Sequence, residues 1–472
     1  MSLTSSAGLA DVIRYSNGPV RLKARWLLPI DMPPIENGEI AFEDGVITFI
    51  GKATGTPGAH DFGDAAILPG FINTHAHLEY TVLRGLVEDM PFFSWIRTLT
   101  ALKTHVGLDT WLCSATLGAA EMLAAGVTTI ADASDAGAGI GALAASGQRG
   151  IVYREVFGIE REPSVETTLS VLHTRLVNMR AQLARTGADQ RIRVGISPHA
   201  PYTVGAPLFE ALSQYSQKQV LPQTIHLAES PAEEQFIREG TGPFAEFLQQ
   251  RGVTWQAPAC SPTQYLNRCG ALTPGTLLAH TVHIDEQDAQ LLKERGCTVA
   301  HCPKSNGKLG AGFAPIRLLL DAGVPVGLGT DSMVSNNAVD MFEEMRFAVF
   351  NARSRGQEVG ALSAKEALHM ATLGGATALG MEGDIGSLTR GKRADLCVVR
   401  LNGLHTYPAG EDNPVAALVY GCRASDVALT LVGGKVLYEG GWHVLLDISR
   451  LRHTLTESRK RLRDHLPLST SY

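Results

Sequence analysis

Four short segments carry imidazole and carboxylate groups at spacings that can hold a metal ion and move protons. Asn73-Thr74-His75-Ala76-His77 sets two histidines two residues apart. On a strand that spacing turns both side chains to one face. Ile225-His226-Leu227-Ala228-Glu229 adds an imidazole and an acid, and Leu278-Ala279-His280 adds another imidazole, with His283 just beyond. Gly327-Leu328-Gly329-Thr330-Asp331-Ser332 ends on a carboxylate. Three imidazoles and a carboxylate suit zinc or a similar divalent ion with one position left open for water. Singly, each segment is weak: an H-x-H recurs by chance, and a G-T-D turn often only caps a helix. The weight lies in their joint placement, each at the end of a short apolar run.

Those runs recur through the middle of the chain. Candidate strands are Ile67–His77, Thr128–Ala133, Gly150–Phe157, Ile192–Pro198, Gln223–Leu227, Thr276–Thr281, Thr298–Cys302 and Val324–Thr330. Helix-like stretches such as Leu112–Ala125, Glu166–Arg185 and Ala232–Arg251 lie between them. Eight such units predict an α/β fold with a closed parallel barrel, whose strand ends converge on one mouth. An open doubly wound sheet fits the alternation too, but no G-x-G-x-x-G opens the first unit and no phosphate-loop motif occurs. Both chain ends are β-rich. Val20–Leu28 and Gly38–Ile50 alternate around a Glu43-Asp44-Gly45 turn, and Ala394–Arg400, Asp426–Val432 and Lys435–Tyr438 repeat the texture. The ends are expected to share one small sheet domain. Ile448 to His465 reads as an Arg-rich surface helix rather than a nucleic-acid arm.

With 472 residues, 44% hydrophobic and 19% charged, the chain is an ordinary globular one, long enough for a barrel and an appendage. Forty-one basic residues against 47 acidic ones give −6, so nothing favours nucleic acid or an anionic membrane. The seven cysteines are scattered and never form C-x-x-C, which argues against a disulfide framework and for a reducing, cytoplasmic setting. Met1 to Leu28 lacks a signal-peptide core, and no apolar run is long enough to span a membrane.

Further segments resemble one known family. LPGFINTHAH (Leu68–His77), SPHAPY (Ser197–Tyr202), HLAES (His226–Ser230), LAHTVHID (Leu278–Asp285), HCPKSNGKLG (His301–Gly310) and VGLGTDS (Val326–Ser332) resemble the amidohydrolase superfamily, in its branch of aminopurine and triazine deaminases and hydrolases. The late TRGKRADLCVV and LVGGKVLY are similar to that branch's closing sheet. The resemblance implies a TIM-type (β/α)8 barrel over 69–385 and a composite β-sandwich built from 1–68 and 386–472. It implies His75, His77, His226 and Asp331 as metal ligands, Glu229 as proton shuttle, His280 as the group orienting the attacking hydroxide, and His199 as a substrate contact. His283 competes for the role of His280. It also implies a small aminopurine-type substrate and leaves a homodimer open.

The residue types suit hydrolytic loss of an amine. A divalent ion brings the pKa of bound water toward neutrality. Asp331 can take the water's proton, while Glu229 can protonate a ring nitrogen and later the departing ammonia. No lysine occurs between Thr104 and Gln217, so a carboxylated-lysine bridge has no source there and one ion per chain is expected, zinc first, iron or manganese otherwise. Glu155 could bridge a second ion, but reads better as structural. Arg84–Pro91 and Trp95 resemble methylthioadenosine and adenosylhomocysteine deaminases, although the glutamate those enzymes carry after the tryptophan is absent from Thr100–Thr104. HAHLEY with Glu79, the YREVFG strand and SPTQYL resemble 6-aminodeoxyfutalosine deaminases, which makes that the expected substrate, with S-adenosylhomocysteine or methylthioadenosine, or a guanine, pterin or triazine ring, as the alternatives. Trp95, Phe92 and Phe93 are candidates for an aromatic wall. Arg84 is a candidate for a substrate carboxylate, or alternatively for a salt bridge that fixes its loop.

Overall fold

The structure, a computed structural model, describes residues 9–10, 18–160 and 163–466. Residues 1–8 and 11–17 of the Met1 to Leu28 segment considered for a signal peptide lie outside them. The barrel strands are Phe71–His77, Val127–Ser134, Arg149–Val156, Ile192–Pro198, Thr224–Leu227, Leu277–His280 and Thr298–His301, with an eighth run split into Val326–Leu328 and Asp331–Ser332. Parallel pairing joins the first four, a bridge from Ile196 to Gln223 leads to the fifth, and pairing continues to Val326–Leu328. Asp331 and Ser332 then pair with Ala76 and His77 of the first strand. This order, with helices between the strands, is that of a TIM-type α/β barrel. The strands Val127–Ser134 and Arg149–Val156 are buried along their whole lengths, as strands covered on both faces must be.

The long run expected from Ile67 is two strands. Ala65–Pro69 belongs to a nine-stranded sheet made by both chain ends, and Phe71–His77 to the barrel. Gly70 is the hinge: a Cβ there would lie 2.0 Å from the Thr128 side chain. Within the end sheet, Ile35–Glu43 and Val46–Lys52 form the expected hairpin, with Asp44 and Gly45 at φ 51° and 75°, and Leu396–Arg400 runs antiparallel to Ala65–Pro69. The helix expected over Ala232–Arg251 is instead two, Pro231–Glu239 and Pro243–Gln250. Gly240 and Gly242 sit at φ 70° and 84° between them, and Pro243 cannot continue the first helix. Among the described residues no helix is long and apolar enough to cross a membrane.

Candidate active site

The strand ends bring His75, His77, His226 and Asp331 into one buried cluster with their ligand atoms within 4.8 Å of one another. His75 Nε2 lies 3.4 Å and His77 Nε2 3.5 Å from Asp331 Oδ1, and the Nε2 atoms of His77 and His226 are 3.3 Å apart. Burial drives the histidines toward their neutral form, lowering His75 to about 4 and His77 to about 3 and placing His226 well below its usual value. Burial alone would raise Asp331, but the imidazoles of His75, His280 and His77 hold it far below the carboxylate range. Neutral imidazoles facing a charged carboxylate are the donor set a divalent ion requires. The buried Nε2 of His75 has no hydrogen-bond partner among the described residues, so the set also fits an ion as an unfilled demand.

Supporting groups aim these ligands. His226 Nδ1 donates to the carbonyl of His199 at 2.9 Å, which turns its Nε2 toward the cluster. Asp331 Oδ2 accepts from the hydroxyls of Ser305 at 2.6 Å and Ser335 at 2.7 Å, leaving Oδ1 to face the histidines. Ala228, His280 and Asp331 hold left-handed backbone, φ 51°, 74° and 57°. Such strain in non-glycine residues gathers at functional positions.

Beside the cluster, Glu229 Oε1 lies 3.7 Å from His280 Nε2. Burial pushes Glu229 up to about 7, a value suited to trading protons near neutral pH. His280 Nδ1 donates to Asn306 Oδ1 at 2.9 Å, which leaves Nε2 as an acceptor. Glu233 accepts from the backbone N–H groups of Ala228 and Glu229, both at 2.9 Å, and so fixes the segment bearing the acid. Neither Asn306 nor Glu233 was identified as functional from sequence. Asn306 belongs to the HCPKSNGKLG motif, and Ser230-Pro231-Ala232-Glu233 has the spacing of a capping box.

His77, His226, Glu229, His280 and Asp331 line a cavity of about 890 Å³. His199 lines it, with Nδ1 paired to Thr203 Oγ1 at 2.8 Å and its ring 4.7 Å from Phe157. Phe92, Phe93 and Trp95 line it too, and the buried Trp95 Nε1 has no hydrogen-bond partner among the described residues. Tyr202 and Phe244 stack at 4.3 Å on the same wall. Glu155 lies beneath His199 and His77, with both oxygens unpartnered among the described residues, and burial pushes it up to about 8.

Two expected substrate contacts, Glu79 and Arg84, are absent from the cavity lining, and His283, the competing candidate for the role of His280, faces a separate pocket. Glu79 does not reach the cavity: its buried carboxylate accepts from Ser134 Oγ and from the N–H groups of Asp135, Ala136 and Ala138. The 3-10 turn Leu78–Leu83 swings it toward the neighbouring loop instead. Arg84 also lies off the cavity lining, bonded to Glu121 and to Met333 Sδ, which is the loop-fixing alternative. His283 donates to, or accepts at, no group of the main cavity; its Nε2 meets the Ala311 carbonyl at 2.8 Å in a separate pocket, leaving the place beside Glu229 to His280.

Comparison with known proteins agrees with this geometry. The chain is 34% identical over 436 residues to 5-methylthioadenosine/S-adenosylhomocysteine deaminase of Nitratidesulfovibrio vulgaris, covering 90% of this chain and 92% of the relative. The protein of the same description from Moorella thermoacetica is 32% identical over 450 residues, covering 93% and 99%. A crystal structure of an adenosine deaminase from Xanthomonas campestris with bound zinc superposes with a TM-score of 0.82 at 28% identity, over 94% of this chain and 98% of that one. The amidohydrolase family profile matches residues 66–437, and with these relatives it shows that the chain belongs to the amidohydrolase family.

Proposed function

We propose that this metal-dependent hydrolytic deaminase acts at C6 of an adenine nucleoside derivative, using one divalent ion held by His75, His77, His226 and Asp331. The observation that carries the reading is the placement of Glu229 and His280, 3.7 Å apart, beside that ligand set at the end of an aromatic cavity. On this reading residues 69–385 form a closed (β/α)8 catalytic barrel, and 1–68 and 386–472 form its composite β-sandwich. The bound ion supplies the Lewis acidity that makes water a nucleophile near neutral pH. His280 Nε2, its tautomer set by Asn306, accepts a hydrogen bond from the attacking water. Asp331 Oδ1 takes the proton released on attack. Glu229, held protonated by burial, donates to the ring nitrogen next to C6 and so makes that carbon electrophilic. The same carboxyl then carries a proton to the leaving amine. The aromatic wall shields the ring from bulk water.

The shared description of the relatives supports S-adenosylhomocysteine or methylthioadenosine as the substrate. A second reading, 6-aminodeoxyfutalosine, draws on the cavity mouth. There the guanidinium groups of Arg97 and Arg251 lie 5.7 and 5.6 Å from the centre of the Phe247 ring, an arrangement suited to an aryl carboxylate. An ultraviolet assay of adenine-to-hypoxanthine conversion on zinc-loaded protein should compare these three substrates and adenosine. Turnover led by a thioether nucleoside supports the first reading, and turnover led by aminodeoxyfutalosine the second. If no adenine nucleoside is converted, deamination at adenine C6 is wrong. Two bound ions per chain would overturn the single-ion assignment.

A further inference from the structure

The cavity holds a polar pair that the chemistry at Glu229 and His280 leaves unused. Lys103 ends the helix Phe92–Lys103, and Asp135 follows the second barrel strand. Their side chains meet at 2.5 Å on the cavity wall, where they remain 19% and 30% exposed. Lys103 Nζ also donates to the Tyr80 hydroxyl at 2.8 Å and lies 5.0 Å from the Tyr80 ring centre. The Tyr80 ring stacks on His77 with centres 5.2 Å apart. The pair thus lines the same cavity as His77, His226 and Asp331, with the Tyr80 ring between Lys103 and His77.

Its position is held from behind. Glu79, buried under the loop, accepts from the N–H groups of Asp135, Ala136 and Ala138. That clamp gives the buried Glu79 its purpose: it presents Asp135 to the cavity. Asp135 Oδ2 meets Lys103, and Oδ1 has no partner among the described residues. Burial would raise the Asp135 carboxyl, yet the nearby Lys103, Arg154 and Arg175 charges hold it below the usual range. A charged carboxylate with free lone pairs on a substrate cavity calls for hydrogen-bond donors. The adjoining ammonium can donate back to the oxygen of the same group.

We propose that Asp135, braced by Lys103, is the specificity-determining residue for the sugar, accepting hydrogen bonds from the vicinal 2′- and 3′-hydroxyls of the nucleoside. The inference rests on the proposed reading of the substrate as an adenine nucleoside. On this proposal a nucleoside with C6 beside Glu229 and its ring against the aromatic wall directs its sugar to this pair, which lines the same cavity.

The test uses the full-length zinc-loaded protein with adenosine, 2′-deoxyadenosine, 3′-deoxyadenosine and 2′,3′-dideoxyadenosine. Wild type should favour adenosine over the dideoxy compound by roughly ten- to hundredfold in kcat/KM, the range for hydrogen bonds to a charged group. In Asp135→Asn that preference should collapse, chiefly through a higher KM for adenosine, while dideoxyadenosine turnover and zinc content hold. Lys103→Met should level the substrates in the same direction and serves as the second variant if Asp135→Asn does not fold. Equal use of all four by wild type overturns the inference and leaves the deaminase reading standing. So does a uniform loss across all four in the folded variants, which marks a purely structural ion pair. Absence of turnover on every adenine nucleoside removes the functional reading and this inference together.

Discussion

At the scale of single residues, the groups proposed to do chemistry were legible and their supports were not. His75, His77, His226, Glu229, His280 and Asp331 lie at or just past the ends of barrel strands, so strand placement points them at a common mouth and the family resemblance suggests their roles. Glu79 and Arg84 follow the first strand, where a 3-10 turn decides direction, and no periodicity predicts which way that turn throws a side chain. Asn306 comes from a helix 26 residues beyond His280, a pairing only the fold creates. Glu229→Gln keeps the shape but removes the transferable proton. It should retain one zinc by elemental analysis and lose roughly 10²–10⁴-fold in kcat; wild-type rates would remove Glu229 from the mechanism. Asn306→Ala leaves the His280 ring free to rotate or to take the other tautomer. It should lower kcat by roughly a hundredfold with little change in KM and unchanged zinc, because the misplacement is of order 1 Å at the reacting atoms. A rise in KM alone would assign Asn306 to substrate binding.

At the scale of elements, strand positions could be read to within a few residues because buried parallel strands are short apolar runs bounded by turns. The failures lie where one run serves two elements. Ile67–His77 looked continuous because both sheets are buried, and only the need for Gly70 to pass close over Thr128 divides it. The loop after the second strand depends on a similar long-range provision. Its N–H groups at Asp135, Ala136 and Ala138 would be unsatisfied without the Glu79 carboxylate. Glu79→Gln replaces one charged acceptor oxygen with a donor facing other donors. It should cost about 1–3 kcal/mol of stability in urea unfolding, the desolvation penalty of buried groups left unpaired. Unchanged stability would show that the loop holds its shape without the clamp.

At the scale of the molecule, the β-rich ends were recognisable as a pair, but not what ties them to the barrel. Arg149 at the start of the third barrel strand forms a buried fork with Asp395, whose Oδ1 also accepts from Gly433 N in the end sheet. The Trp26 indole donates to the Gly410 carbonyl across the end segments. The terminal helix Ile448–Arg463 read as a surface helix, and its Leu spacing was visible; the face it covers was not. Leu455 and Leu462 are buried in one cluster with Trp95, Leu99 and Trp111, and Arg459 donates to the Val82 carbonyl at 3.0 Å. The helix therefore packs on the helix Leu108–Ala124 and the turn after His77, and shares a buried cluster with Trp95 of the cavity's aromatic wall. A chain ending at residue 446 would expose that apolar patch while leaving every proposed ligand in place. It should bind zinc in the same ratio, unfold at a lower temperature, and show a KM for its nucleoside raised by more than kcat falls, because Trp95 and Leu99 lose part of the buried cluster they share with Leu455 and Leu462. A truncated enzyme with an unchanged KM would mean that the wall is rigid without its backing and that the helix contributes to stability alone.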